Sequence, residues 1–196
     1  VMRSYAIPHF PLDDYITPQD VQGQRAYGEE GVERLASVQA RKLTTIRKSH
    51  AATLETARAK MITSGDIYAP NGTVVGNVYT DFGVTRKQVA MDLTNAATDI
   101  LGKQREIVDH IQDNIMSGET PSEIIALCSP SYFDAYISQA GVKEAYKFYT
   151  STQEPLRNGN WSQFRHGDIT LIRYNGKFKD ASGVSQALIP DGDAYY

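Results

Sequence analysis

A single cysteine, Cys128, is all the thiol that the 196 residues contain. No disulfide can form within one such chain, which points to a reducing compartment or to indifference to redox. No apolar run reaches the roughly 18 residues that a membrane span needs, so no membrane partner is expected. Excess charge is missing too. The net charge is −3, and the whole chain has no polybasic signature for nucleic acid or membrane. The opening Val1-Met2-Arg3-Ser4 lacks the pattern of a secretory signal. With the ending Asp193-Ala194-Tyr195-Tyr196 it reads as a piece of a longer protein.

The usual signs of catalysis are also scarce. Neither GxxxxGK[ST] nor GxGxxG occurs, and Gly28-Glu29-Glu30-Gly31 is acidic where a phosphate would need donors. His9, His50, His110 and His166 never pair at metal-ligand spacing, and one cysteine cannot build a thiolate cluster. Asp109, His110 and Asp113 share a predicted helix, where a solvated face explains them. No cofactor, metal or small-molecule substrate is expected. One thiol arrangement keeps an alternative open. Cys128 ends an apolar run just before a helix start, where a thiol pKa can fall, and His166 is its candidate base. A small thiol hydrolase using Cys128 and His166 is therefore one competing function. The bland reading, a small buried cysteine at a strand end, is the more common one.

What is present is an ordinary globular composition, 41% hydrophobic and 22% charged, long enough for one or two small domains. Tyr outnumbers Phe 12 to 6, which suits wet contact surfaces as well as cores. Residues 1–31 hold Pro8, Pro11, Pro18, Gly23, Gly28 and Gly31 and predict an extended arm. Residues 33–63 contain no Gly and no Pro. Leu35, Val38, Ile46, Leu54, Ala57 and Met61 recur near the helical repeat, with Leu43 and His50 filling the stripe. This predicts one helix of about 46 Å, packed on one side only and stopped at Gly65. Arg34, Arg41, Lys42, Arg47, Lys48, Arg58 and Lys60 face only Glu33 and Glu55, a local excess of five positive charges. A solvated face accounts for that excess. A surface turned toward a polyanion is the sharper reading, and a DNA-binding module built on helix 33–63 is the third function.

Beyond the helix, Pro70-Asn71-Gly72 predicts a hairpin over 66–80 with an Asn-Gly turn. Phe82 to Leu93 reads as extended. A second domain is expected from Thr94. It holds an amphipathic helix defined by Ile100 to Ile115 and ending at Gly118, a strand Ile124–Cys128, and a helix capped by Ser129 with Pro130 in its first turn. Gly141 is expected to break that helix before another over Val142–Tyr149. Residues 150–167 read as a polar loop in which Trp161, Phe164 and Arg165 either anchor a partner or tuck the loop down. Gly167–Tyr174 reads as a strand turned at Asn175-Gly176 onto a partner strand within Gly183–Ile189.

The order of blocks carries a resemblance. Ile7-Pro8-His9-Phe10-Pro11-Leu12-Asp13-Asp14 is followed by Ile16-Thr17-Pro18-Gln19-Asp20-Val21-Gln22-Gly23 and Arg25-Ala26-Tyr27-Gly28. Lys42-Leu43 and His50-Ala51-Ala52-Thr53-Leu54-Glu55 lie in the long helix. Ala126-Leu127-Cys128-Ser129-Pro130-Ser131-Tyr132-Phe133, Val142-Lys143-Glu144-Ala145-Tyr146, Gly167-Asp168-Ile169 and Ala187-Leu188-Ile189-Pro190 complete the series. The chain resembles the major capsid protein E family of lambda-like tailed phages and prophages. That resemblance implies an α+β chain of the Hong Kong phage-type capsid fold. Residues 1–31 would be an extended arm or loop region. Residues 32–93 would be a peripheral domain with a spine helix and β-hairpin. Residues 94–196 would be a mixed α/β axial domain, incomplete at its C-terminus. It implies no enzyme and no catalytic residues. It implies a structural shell subunit that assembles with itself into hexamers and pentamers of an icosahedral head. Its further partners would be scaffold, portal and decoration proteins and packaged double-stranded DNA, held without sequence preference. Its place would be the virion, and the host cytoplasm before assembly.

Overall fold

The computed structural model describes residues 8–21, 35–70, 72–115, 121–149, 162–179 and 183–196. It is a mixed helix-and-sheet (α+β) chain that divides into two compact units, Val1–Asp81 and Phe82–Tyr196.

In the first unit a 29-residue helix, α1 (Leu35–Thr63), forms where glycine and proline are missing. The hydroxyls of Thr44, Thr45, Thr53 and Thr56 each donate to the carbonyl four residues back, at 2.8–3.1 Å, so these polar side chains are satisfied without leaving the helix. Gly65 ends it at φ +76°, its N–H donating to Met61 O at 3.0 Å. That is the left-handed stop the sequence predicts. A hairpin of β1 (Asp66–Tyr68) and β2 (Val74–Asn77) follows and folds back on the helix end. Asn77 Nδ2 donates to Ser64 O at 2.9 Å and Asp66 Oδ1 at 2.7 Å. Tyr79, in the short α2 (Val78–Phe82), donates its hydroxyl to Ile62 O at 2.8 Å. Two side chains thus satisfy carbonyls at the end of α1 that a helix leaves open.

The hairpin turn differs from the expected two-residue Asn-Gly form. Gly72 N–H bonds Ala69 O and Ala69 N–H bonds Thr73 O, with Gly72 at φ +81°. Ala69 and Thr73 thus flank a three-residue loop that ends on the left-handed Gly72. Residues 8–21 run extended apart from one 3-10 turn, Pro18–Asp20. The rest of the predicted arm lies outside the described residues.

The second unit is built on a four-stranded sheet in the order β4-β5-β3-β8. β3 (Ile124–Cys128) and β5 (Ile169–Arg173) are parallel, with Ile124 opposite Ile169 and Cys128 opposite Arg173. β4 (Gln163–His166) and the two-residue β8 (Ala194–Tyr195) flank them antiparallel. α3 (Ile100–Asn114) is capped by Asp99, whose carboxylate accepts from Gly102 N–H at 2.9 Å. α4 (Pro130–Ser138) starts at the Ser129 cap with Pro130 in its first turn, as read from the sequence. Buried Ile100, Ile107, Ala126, Cys128, Phe133, Tyr136, Val142, Phe164, Ile169 and Leu171 form the core.

Several expectations change here. The helix break falls at Gln139, and Gly141 lies inside α5 (Ala140–Tyr149). The Gln139 side chain accepts from Val142 N–H at 3.0 Å and so starts α5 itself. Residues 163–166 form strand β4 where a polar loop was expected, and Phe164 is a core residue. Trp161 lies outside the described residues. The strand within 183–189, β7 (Ser185–Ala187), pairs with β6 (Lys177–Lys179) in a separate ribbon. Both edges of β5 are taken, by β3 and β4, so no ladder is left for β7. Residues 83–93 form no strand, and Met91, Val89 and Leu93 pack with the second unit's core.

Gly65 combines a positive φ with a Cβ direction that runs into the Tyr79 ring. Gly65→Ala should destabilise the first unit by about 2 kcal/mol or more in urea unfolding, of which about 1 kcal/mol is backbone strain. The double variant Gly65→Ala, Tyr79→Ala should lose the collision and keep the strain together with the lost Tyr79 hydrogen bond. Equal stability of Gly65→Ala and the parent would refute this account.

Candidate interaction surface on the long helix

α1 buries only Val38, Ala59 and Thr63. Leu43, Leu54 and Met61, expected on its packed stripe, are 45%, 56% and 49% exposed. At 100° per residue these three lie within about 20° of one line along the helix. Ala36 and His50 fall on the same line. Leu35 and Ile62 are also exposed but sit off it. Of the stripe read from the sequence, Val38 is buried and Ile46, His50 and Ala57 are half-buried, while Leu35, Leu43, Leu54 and Met61 stay exposed.

The cations fall into groups around that line. Arg41 and Lys48, seven residues apart, lie on the opposite face at about 140–160°. Arg47 and Arg58 flank the apolar line at about 40–60°. Lys42 and Lys60 share one side, about 100° away. Arg34 lies outside the described residues.

Lys42 is an intramolecular anchor. Its ammonium donates to Tyr15 O at 2.5 Å, Asp20 Oδ2 at 3.1 Å and Asp14 Oδ1 at 3.4 Å. The hydrogen bond to Asp20, ahead of the one to Asp14, raises the Lys42 pKa. Asp20 is held below the ordinary carboxylate range first by the Thr17 N–H, at 2.9 Å, and then by Lys42. The pairs are partly open to water, so their Coulomb energy is modest. Their effect is positional, fixing residues 14–20 along α1. Lys60 lies in the last turn, where a cation favours the helix dipole, and its charge also lowers the Asp66 pKa as a minor cause. No signal in the sequence marked Lys42 apart from the other six.

The thiol hydrolase arrangement is not built. Cys128 is fully buried, and burial pushes its thiol up to about 12. It keeps its proton near neutral pH and donates weakly to Ala126 O at 3.6 Å. His166 is level with Ile169, which is level with Ile124, four residues from Cys128 along β3. Two strand spacings across and four residues along separate the pair by roughly 16 Å, far beyond any proton transfer. The His166 Nδ1 is already engaged with the Tyr136 hydroxyl at 2.7 Å. His110 pairs with Asn114 on its own helix rather than with a carboxylate.

Among the described residues, α1 thus carries an exposed apolar line, and Cys128 and His166 are held apart. Comparison with known proteins supplies the class. The sequence profile of phage major capsid protein E matches residues 1–196, and the chain belongs to that family. It is 39% identical to the major capsid protein of Pseudomonas phage KPP10, over the whole chain and 59% of that relative. It is 27% identical to the major capsid protein of Salmonella phage Felix O1, over 95% of the chain and 55% of that relative. The chain thus spans a little over half the length of these relatives. Family and relatives are structural capsid proteins, not enzymes.

The buried thiol gives a direct check. Native Cys128 should react with a disulfide reagent at pH 8 at least about 10³-fold more slowly than in urea, because the thiolate is suppressed and shielded. Cys128→Ser should leave assembly of the full-length protein intact. Fast native labelling would overturn the buried-thiol assignment.

Proposed function

We infer that this chain is the central part of a tailed-phage major capsid subunit that assembles with itself into hexamers and pentamers of an icosahedral head. The observation that carries the reading is the apolar line of Leu43, Leu54 and Met61, exposed in the single chain. Full burial of such side chains against a neighbour contributes about 1.5–3 kcal/mol each. Repeated around a closed ring, that gain favours assembly over the isolated subunit. The established family supplies the occupant: further copies of the same protein.

In this reading the chain has the Hong Kong phage-type capsid fold. α1 is the spine helix of a peripheral domain over residues 32–93, with β1–β2 as its β-structure. Residues 94–196 are most of the axial domain, and residues 1–31 belong to the extended loop region. Packing supports a boundary somewhat earlier, since Met91 belongs to the second unit's core. Arg41 and Lys48, on the face away from the apolar line, suit the side turned toward packaged double-stranded DNA. Arg47 and Arg58 suit the rim of a subunit contact. Lys42 is a weaker DNA candidate, because its charge is spent on Asp14 and Asp20. Scaffold, portal and decoration proteins are the expected further partners. The virion is the expected location, with the host cytoplasm before assembly.

Electron microscopy of the full-length protein expressed alone should show shells or capsomer rings. Leu43→Glu, Leu54→Glu and Met61→Glu should each lower assembled material at least tenfold while circular dichroism and melting stay near wild type. A protein that remains strictly monomeric, or one that assembles normally with all three changes, would sink the reading. Neutralising Arg41 and Lys48 should weaken salt-sensitive duplex-DNA binding more than neutralising Lys42 and Lys60 does.

A further inference from the structure

The second unit contains a buried polar relay that its core packing does not require. Tyr136, fully buried on α4, has its hydroxyl between two partners. Gln104 Nε2 on α3 lies 2.6 Å away, and His166 Nδ1 on β4 lies 2.7 Å away. Gln104 Nε2 also reaches the His166 carbonyl at 3.3 Å. Chemistry favours one arrangement of hydrogens on these contacts. A backbone carbonyl only accepts, so the Gln104 atom facing it is the amide nitrogen. That nitrogen also donates to the Tyr136 oxygen. The Tyr136 hydrogen must then go to His166 Nδ1, which is bare only in the neutral imidazole carrying its proton on Nε2.

Adding a proton at Nδ1 breaks the sequence. The Tyr136 oxygen would face two donors, and its own hydrogen could be accepted by Gln104 only if that amide turned over, which gives up the bond to the His166 carbonyl and sets two carbonyl oxygens against each other. A buried donor without a partner is strongly disfavoured. The strand that bears His166 is the weak element here. β4 has four residues and, among the described residues, pairs on one side only, to β5. We propose that Gln104, Tyr136 and His166 form an acid-sensitive latch that holds strand β4 against α3 and α4 while His166 is neutral and releases it when His166 takes up a proton.

The surroundings of His166 favour such behaviour. α3 faces it with neutral Gln104, α4 with the tyrosine hydroxyl, β5 with Ile169, and its own strand with Phe164, ring to ring at 6.2 Å. No charged side chain contributes to its shift, and burial alone lowers its pKa from the ordinary 6.5. The open strand therefore binds a proton more readily than the closed one. The latch has full strength above about pH 6.5 and loses it as the pH falls through the depressed value. Tyr136 does not compete for the role, because burial drives its pKa up and it stays neutral throughout.

The test is nitrogen-detected NMR of the histidine-labelled full chain, with amide exchange and melting from pH 7.5 to 5.5. The expected result is an Nε2–H tautomer at His166, a titration midpoint below 6.5, and a several-fold loss of β4 protection that β3 does not share. His166→Gln, whose amide oxygen accepts from Tyr136 without titrating, should abolish the fall in melting temperature across this range. His110→Gln should leave it in place. An Nδ1–H tautomer, a midpoint at or above 6.5, or an unchanged acid step in His166→Gln would overturn the latch. The tautomer and midpoint are read on the unmodified chain, so a His166 variant that failed to fold would not remove the test.

Discussion

A helix that keeps most of its surface in water must find its stability elsewhere, and α1 is in that position. Three of its 29 residues are buried by its own chain. Intrinsic propensity and threonine back-bonding hold such a helix only weakly, since most helical stability in proteins comes from packing an apolar face. The two ends are instead secured by polar contacts. Gly65, Asn77 and Tyr79 close the last turn, and Lys42 ties residues 14–20 along the first half. A shell subunit has a reason to leave the surface of α1 unfinished, because a face saturated within one chain has nothing to offer the next.

The second unit follows the opposite logic. Its sheet buries Ile124, Ala126, Cys128, Phe164, Ile169 and Leu171 in a core that also holds Tyr136, although Ile125 on β3 stays 46% exposed. The Tyr136 ring packs at 6.1 Å on Tyr132 and edge-on to Phe164 at 6.3 Å, while its hydroxyl serves the relay. Tyr132 and Tyr196 share a second hydroxyl contact at 2.8 Å, which helps hold the short β8 segment against α4. The tyrosine excess noted in the sequence therefore has two uses. Some tyrosines fill the core with a polar tip satisfied inside it, and Tyr79 caps a helix end. Tyr15, 78% exposed, is available for contacts beyond the chain.

Much of the local architecture was readable from the residues alone. The span of α1 followed from the missing glycine and proline, its end from Gly65, and the start of α4 from Ser129-Pro130. The strand Ile124–Cys128 came out with the bounds the structure has. The family resemblance was legible in the order of short blocks, and the whole-chain match bears it out. The β1–β2 hairpin was legible from its turn, but the strand partners in the second unit were not. β4 was hidden because Gln163-Phe164-Arg165-His166 is too short and polar to stand out, although Phe164 alternates correctly for a half-buried strand. The Cys128–His166 pairing looked attractive in one dimension and dissolved once β5 came between their strands.

By itself the sequence determined the end of α1 and the start of α4, that the chain is α+β, and which family it belongs to. Those are short-range properties, set by caps, breakers and period. Only the tertiary structure decided which apolar side chains of α1 stay in water, that Lys42 meets Asp14 and Asp20, and that Gln104 and His166 meet at the Tyr136 hydroxyl. Each depends on a neighbour brought from far along the chain: Asp14 and Asp20 to Lys42, and Gln104 to a tyrosine and a histidine 32 and 62 residues away. Residue types and spacing do not encode such meetings in any local form, because the same types satisfy the same pattern whether or not a partner arrives.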